Sequence, residues 1–277
     1  MKLRPLNAAV LAMLCAAASA QTPPASPEFD CLIEPMQTVE IRSPVAGLLQ
    51  QVHTRRGASV SKGQVLVSIE SSVERSAADA AAFRAQAQGM LQSARNRLNA
   101  AREKSRRMTE LAAEEFVSAQ ARDDAAAELK LAESELRAAE ENTTLAQLEH
   151  RQTLDTLTRR TLRSPFDGVV VDQYLYPGSL VDGGEGRKPI LKIAQTHPLA
   201  VQAILPYKLY PQLAVGQAAV VLPEAPFGGE IPARVRTVDR VIDPSAGTFG
   251  IVADIDNRAQ KLPAGIRCKI RLTGVKR

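Results

Sequence analysis

The sequence predicts a mainly β protein with a long α-helical hairpin, in which a split β-sandwich flanks the hairpin and a small β-barrel follows it. Three observations predict this fold class. A short β-type motif occurs twice, at a constant offset of 121 residues. The stretch between the two copies has the Ala, Glu, Arg and Leu content and the heptad spacing of long helices. After the second copy, short apolar runs alternate with Pro, Gly and Asp, as in small all-β domains.

The first 20 residues are predicted to be a secretory signal peptide. A basic start precedes a short apolar run, and Ala18-Ser19-Ala20 offers a small-residue cleavage pattern. The run is shorter than the roughly 20 residues that span a bilayer, and an uncleaved anchor is the alternative. We therefore expect cleavage near Ala20, a periplasmic protein, and a Pro-rich N-terminal tail over residues 21–37.

Two cysteines remain after this cleavage, Cys31 and Cys268, near opposite ends of the mature chain. In an oxidising compartment such a pair can form a disulfide. The alternative is two small buried hydrophobic residues, because nothing local in the sequence brings the two cysteines together.

The repeated motif covers residues 41–57 and 162–178, and it lies within two predicted β segments, residues 38–75 and residues 161–196. Neither copy is long enough to bury a core alone, so we expect the two copies to pack together as the halves of one sandwich. The residues predicted to form its structural turns are Pro44, Gly47, Gly57, Gly63, Pro165, Gly168 and Gly178.

Residues 76–160 form the predicted hairpin and contain no Pro and a single Gly, Gly89. The ends of this segment join two copies of one motif, so the segment must leave and return to one place, as an antiparallel hairpin does. We expect the turn at about 113–116, with Ser118 as the N-cap of the second helix. Heptad spacing predicts which residues pack between the two helices, and we call this contact line the seam. Its predicted residues are Ala80, Ala87, Leu91, Ala94, Leu98, Ala101, Met108 and Ala112 in the first helix, and Ala125, Leu129, Ala132, Leu136, Ala139, Thr143 and Ala146 in the second.

Residues 197–277 contain five or six short apolar runs separated by Pro, Gly, Asp and Asn, which predicts a small barrel or sandwich. The net charge of +5 is mild and gives no argument for nucleic-acid binding.

Taken together, these segments resemble the HlyD-like membrane fusion proteins, the periplasmic adaptors of efflux systems. The stretch from Ser43 to Leu66 looks like the first half of a lipoyl-like domain, and the stretch from Arg163 to Val171 looks like the second half. The C-terminal region is similar to the family's β-barrel domain. Many members carry a further membrane-proximal domain after the barrel, and we expect no counterpart of it before Arg277.

The resemblance implies partners and an assembly. It implies an inner-membrane transporter of the RND class, a TolC-type outer-membrane channel, and self-association into a ring, by resemblance a hexamer. The protein would then associate with the inner membrane through its transporter. An ABC exporter can use the same architecture, and the sequence leaves this alternative open.

The resemblance also implies a docking site. Adaptors that meet a TolC-type channel carry the pattern R-x3-L-x6-S at the hairpin tip, and Arg107, Leu111 and Ser118 fit its spacing. A guanidinium can bond several carbonyl groups at once, and Leu supplies an apolar contact. Chance matches to so loose a pattern are the alternative in a helix rich in Arg and Leu.

Other function classes are less well supported. A biotin or lipoate carrier needs a Lys on its hairpin, but Ile69–Ser72 is followed by Val73 and Glu74. A structural coiled-coil scaffold explains the helices but not the split repeat. The three histidines are scattered, with no Cys or carboxylate at ligand spacing. We therefore predict no catalytic site, no metal site and no cofactor.

Overall fold

The structure is a computed structural model and describes residues 27–183, 188–259 and 261–275. The predicted signal peptide, with its cleavage point near Ala20, lies outside these ranges. The chain divides into two compact units. Of the described residues, those within 34–199 and 256–264 form one unit, and residues 27–33, 200–255 and 265–275 form the other.

The secondary structure consists of fourteen strands and three long helices within the described residues. The strands are β1 (Glu28–Pro35), β2 (Thr38–Ile41), β3 (Gly47–Val52), β4 (Ser59–Val60), β5 (Val65–Ile69), β6 (Thr161–Arg163), β7 (Gly168–Gln173), β8 (Leu180–Val181), β9 (Leu191–Ala194), β10 (Leu199–Pro206), β11 (Ala218–Pro223), β12 (Ile231–Val238), β13 (Thr248–Ile255) and β14 (Ile266–Leu272). The helices are α1 (Ser72–Gln86), α2 (Gly89–Ala113) and α3 (Ala119–Thr158), and a 3₁₀ turn covers Tyr207–Gln212.

The two copies of the repeat form one β-sandwich. Its four-stranded sheets have the orders β2-β9-β7-β4 and β6-β5-β3-β8, so each sheet mixes strands from both copies. Aliphatic residues from both halves make a common core, in which Leu49 of the first copy and Val170 of the second occupy equivalent positions. This shared core explains why neither copy needs to fold alone.

The strand register repeats with the sequence. Gly47 lies opposite Val181 in the β3–β8 pair, and the equivalent residues Gly168 and Val60 lie opposite each other in the β7–β4 pair. The offset of 121 residues therefore reflects a pseudo-two-fold relation between the halves of the sandwich.

The helical insert is an antiparallel hairpin. Helices α1 and α2 run outward along one side and α3 returns along the other, packed against both. Helix α3 has 40 residues and is about 60 Å long at 1.5 Å per residue. The turn lies between Ala113 and Ser118, where the sequence predicted it.

The seam between the helices agrees with the prediction in α2 and α3 but not in α1. Ala94, Leu98 and Ala101 are buried in α2, as are Ala125, Ala132 and Ala139 in α3. The expectation that Ala80 and Ala87 also face the seam is wrong, because both are exposed. The buried residues of α1 are Ala78 and Ala81 instead.

A helix break explains this difference. Helix α1 ends at Gln86 and α2 begins at Gly89, with Ala87 in an extended conformation between them. The break shifts the heptad phase by one residue, which is a rotation of about 100° about the helix axis. A single heptad carried backward from α2 therefore predicts the wrong face of α1.

The second unit contains a closed six-stranded barrel with the order β1-β10-β13-β12-β11-β14. Its first strand comes from the N-terminal region, so the expectation of a tail over residues 21–37 is wrong for residues 28–35. The physical reason is the alternation in this strand, which buries Cys31 and Ile33 and leaves Asp30 and Leu32 exposed. The fold class, mainly β with a long helical hairpin, is confirmed.

Candidate functional site

The tip of the hairpin has a defined backbone that closes the end of α2. The N–H of Phe116 donates to the carbonyl of Leu111 at 2.9 Å, and the N–H of Glu115 donates to the carbonyl of Ala112 at 3.2 Å. These two bonds form a Schellman motif, which satisfies carbonyl groups that the helix end leaves free. The motif requires the residue after the C-cap to adopt the left-handed backbone conformation, and Glu115 does so with a φ of 60°.

Ser118 begins the returning helix. Its hydroxyl accepts a hydrogen bond from the N–H of Ala121 at 3.2 Å, which makes it a side-chain N-cap, as predicted. The structure therefore gives Ser118 a local stabilising role, independent of any partner.

Arg107, Leu111 and Ser118 lie together at this end of the hairpin, in the last two turns of α2 and the first residue before α3. Arg107 is exposed, and its guanidinium makes no ion pair or hydrogen bond with any described residue. Leu111 is half-buried. Sequence reasoning missed Phe116 beside them, which is 73% exposed.

This set of side chains suits binding more than chemistry. It offers an exposed guanidinium with several donors, an exposed aromatic ring and a half-buried aliphatic side chain, all at the tip end of the hairpin. Among the described residues, no group of three or more His, Cys, Asp or Glu side chains is arranged to hold a metal ion.

The base of the hairpin is fixed to the sandwich by Arg160, which sequence reasoning also missed. Its guanidinium donates to the carbonyl of Ala46 at 2.9 Å and pairs with Glu74 in the first turn of α1. Both side chains of the pair are only 18% exposed. The carbonyl of Arg160 also accepts the N–H of Ile69 at 2.8 Å. No sequence motif marks Arg160 and Glu74 as partners, because 86 residues separate them.

Glu70 assists at the same end of the hairpin. Its two carboxylate oxygens accept the backbone N–H of Ser72 at 3.0 and 3.2 Å. Bonds from Ser72 hold the pKa of the Glu70 carboxyl below its usual value, because they favour the charged form. A carboxylate at the N-terminus of α1 also interacts favourably with the helix dipole.

The predicted turn residues lie at the bends of the sandwich. Pro44 and Pro165 follow Ser43 and Ser164, two buried serines whose hydroxyls donate to the carbonyls of Val45 and Phe166. Gly47 begins β3 and lies beside Arg160. Gly168 begins β7 against the carbonyl of Ala194, too close to leave room for a Cβ atom. The turn glycines Gly57, Gly63 and Gly178 have positive φ angles of 82°, 81° and 90°.

The two cysteines meet in the barrel. Cys31 and Cys268 lie directly opposite each other in the β1–β14 pair, and their sulfur atoms are joined in a disulfide. On the outer face of the same strand pair, Arg271 bonds Glu28 at 2.9 Å and Glu230 at 3.2 Å. The bond from Arg271 holds the pKa of the Glu28 carboxyl below its usual value.

Within the described residues, none of the helices is both long and apolar enough to cross a bilayer.

Comparison with known proteins assigns the sandwich and the hairpin to one domain type. Residues 37–194, more than half of the chain, match the model of the CzcB-like barrel-sandwich hybrid domain. An uncharacterized protein of Haemophilus influenzae is 27% identical over 243 residues, which are 87% of this chain and 56% of that protein. The multidrug resistance protein MdtA of Erwinia amylovora is 28% identical over 230 residues, which are 81% of this chain and 53% of that protein. The chain thus spans about half the length of these relatives.

Solved structures share the fold. The crystal structure of MacA from Actinobacillus actinomycetemcomitans superposes with a TM-score of 0.73 at 20% identity and covers 90% of this chain and 79% of MacA. The membrane fusion protein Spr0693 from Streptococcus pneumoniae superposes with a TM-score of 0.58 at 18% identity and covers 91% of this chain and 100% of Spr0693.

Proposed function

Because the chain belongs to the family of proteins that carry the CzcB-like barrel-sandwich hybrid domain, we propose that it is a periplasmic adaptor and not an enzyme. In this role it links an inner-membrane transporter to a TolC-type outer-membrane channel and serves efflux or export across the cell envelope. It is exported after cleavage near Ala20 and associates with the inner membrane through the transporter.

The observation that carries this proposal is the hairpin. Its returning helix is about 60 Å long, far more than is needed to connect the two halves of the sandwich. Arg160 and Glu74 fix its base, while its tip exposes Phe116 and the guanidinium of Arg107, which has no partner in the described part of the chain. A rigid arm with a binding tip suits a protein that bridges a distance.

We assign channel docking to Arg107, Leu111 and Ser118. The guanidinium of Arg107 donates to carbonyl or carboxylate groups of the channel, and Leu111 adds an apolar contact. The hydroxyl of Ser118 accepts the N–H of Ala121, so its proton remains able to donate to the channel.

On the transporter side we propose an RND-class pump. Relatives that bear the name multidrug resistance protein support an efflux role. In the assembled state the copies form a ring, a hexamer by resemblance to the family, in which the hairpins pack side by side.

The test is photo-crosslinking in cells from position 111. We expect capture of an outer-membrane channel, and we expect Arg107→Asp to lower its yield at least tenfold because the reversed charge repels the acceptors that Arg107 meets. Arg95→Asp is the matched control, since Arg95 is an exposed arginine of the same helix about 18 Å from Arg107. It should leave the yield unchanged.

Ser118 allows a second comparison. Ser118→Gly removes the hydroxyl at little cost to the N-cap and adds no charge, whereas Ser118→Ala removes both the hydroxyl and the cap. Loss of docking in both variants supports a direct contact of the hydroxyl. A hairpin that captures only copies of itself contradicts the adaptor proposal and favours a scaffold.

A further inference from the structure

The two copies of the repeat keep the same backbone but differ in their exposed side chains at one turn. In the first copy the N–H of Ala58 donates to the carbonyl of Arg55 at 3.0 Å, and in the second the N–H of Ser179 donates to the carbonyl of Tyr176 at 3.0 Å. Arg55 and Tyr176 are equivalent at the offset of 121 residues. The fold therefore does not require either side chain, and their difference needs another explanation.

Around the second turn the exposed side chains are apolar. Leu180 of β8 lies opposite Leu48 of β3, and both side chains point to solvent. Tyr176 is 62% exposed, Leu180 79% and Leu48 44%. We call these three residues the tyrosine face. Backbone bonds from Gly178 to Leu49 and from Leu49 to Ser179 hold the turn of Tyr176 beside β3, and exposed large apolar residues grouped in this way are typical of surfaces that another molecule covers.

Around the first turn the side chains at the positions equivalent to Tyr176 and Leu180 are basic or polar, whereas Val169, at the position equivalent to Leu48, is half-buried. Arg55 and Arg56 occupy the turn, and Ser59 of β4 stands where Leu180 stands in the second copy. We call these three residues the arginine face. Arg55 has no ion pair or hydrogen bond through its side chain within the described residues, and Arg56 has only a 3.9 Å contact with Asp172.

The two faces belong to different sheets of the sandwich. Leu48 and Leu180 lie in the sheet β6-β5-β3-β8, whereas Ser59 lies on the edge strand β4 of the other sheet. The pseudo-two-fold relation exchanges the two sheets, so one copy presents the two faces on separate surfaces and cannot close them on itself.

We infer that the tyrosine face of one copy of this chain binds the arginine face of the next copy. A guanidinium stacks favourably on a tyrosine ring, and the apolar stems of two arginines can cover exposed leucines. Two unlike faces on one chain give a head-to-tail contact, which closes into a ring when the rotation permits. This contact specifies how the copies associate, and it rests on the self-association in the proposed function.

A symmetric contact fits the two faces less well. Two tyrosine faces could meet about a two-fold axis, but both arginine faces would then remain without a partner. The head-to-tail arrangement uses both faces of every copy.

Cysteine crosslinking of the full chain separates these arrangements. One copy carries Arg55→Cys and one epitope tag, and the other copy carries Tyr176→Cys and a different tag. The native cysteines Cys31 and Cys268 do not compete, because they are already bonded to each other. We expect the mixture to give at least tenfold more disulfide-linked dimer than either variant alone. If Tyr176→Cys alone gives as much linked dimer as the mixture, the symmetric contact is correct and the inference is overturned.

A charge exchange gives independent evidence. Tyr176→Arg should weaken self-association at least tenfold in sedimentation experiments, because it places arginines on both faces. The double variant Arg55→Tyr with Tyr176→Arg should restore it, since each contact again pairs tyrosine with arginine. Tyr207→Arg, at an exposed tyrosine of the barrel unit, is the control and should change nothing. Failure of the double variant to recover, while its circular dichroism matches the parent, contradicts the inference.

The channel crosslink from position 111 separates this inference from the proposed function. If that crosslink forms but the mixed cysteine copies do not react, the adaptor role stands and the assigned contact is wrong. If the mixed copies react while position 111 captures no channel, the contact stands and the adaptor role is wrong. Reaction of the cysteines only with a different protein would overturn the assignment of a second copy as the partner.

Discussion

Arg160 shows how one residue can fix the direction of a long arm. It lies directly after α3, where the returning chain enters the second half of the sandwich. Its guanidinium reaches back to Glu74 at the start of α1 and to the carbonyl of Ala46 in the first half. One side chain therefore links both ends of the hairpin to the first half of the sandwich.

We predict that Arg160→Ala lowers the free energy of unfolding by about 2–4 kcal/mol, because it leaves the largely buried carboxylate of Glu74 without its partner. Arg159→Ala is the matched control at a neighbouring exposed arginine and should change stability by less than about 0.5 kcal/mol. Urea unfolding monitored by circular dichroism measures both variants. Equal midpoints for the two variants would show that the contacts of Arg160 do not hold the base of the hairpin.

The helical hairpin illustrates which elements the sequence predicts well. Its turn and its N-cap at Ser118 follow from local chemistry, and the seam of α2 and α3 follows from the heptad spacing. The seam of α1 could not be extrapolated, since the break before Gly89 changes the phase. The sequence marks the break only by a single glycine, and a glycine inside a helix is often tolerated.

The end of α2 offers a prediction at the same scale. Glu115 occupies a left-handed position that glycine adopts without steric cost. Glu115→Gly should therefore raise the free energy of unfolding by about 0.5–1 kcal/mol. Glycine relieves the backbone strain at this position, but its greater freedom in the unfolded chain offsets part of the gain.

Glu114→Gly is the control for that change, because Glu114 has a negative φ of −95° and gains nothing from glycine. This variant should lower stability by up to about 1 kcal/mol. Thermal unfolding followed at 222 nm compares the two. A destabilised Glu115→Gly variant would mean that the side chain of Glu115 makes a contact that outweighs its backbone strain.

At the scale of the whole molecule, the sequence predicted the sandwich because its two copies keep the same turns and the same register. It did not predict the contribution of residues 28–35 to the barrel, because a single strand beside a Pro-rich segment gives no sign of its distant partner. The two cysteines, Cys31 and Cys268, were the one sequence feature that pointed to this contact. Their pairing stayed an open alternative, since only the closure of β1 against β14 brings them together.

This closure leads to a prediction about the barrel unit. The disulfide joins residues that are 237 positions apart, and a cross-link over so long a loop removes unfolded-state entropy worth about 5 kcal/mol in the chain-entropy model. The double variant Cys31→Ala with Cys268→Ala should lose stability in that range. Hydrogen exchange should become faster first in β1 and β14, because the pairing of these two strands loses its covalent link and then rests on its hydrogen bonds and on the ion pairs of Glu28 with Arg271 and Lys269.

Dithiothreitol distinguishes the cross-link from the packing of the two side chains. Reduction should lower the unfolding midpoint of the wild-type protein toward that of the double variant and leave the midpoint of the double variant unchanged. If the reductant has no effect on the wild type although mass spectrometry shows both thiols free, the covalent bond does not stabilise the barrel. The strand β1 would then be held by its ladders and its ion pairs, and the barrel would stay closed under reducing as well as oxidising conditions.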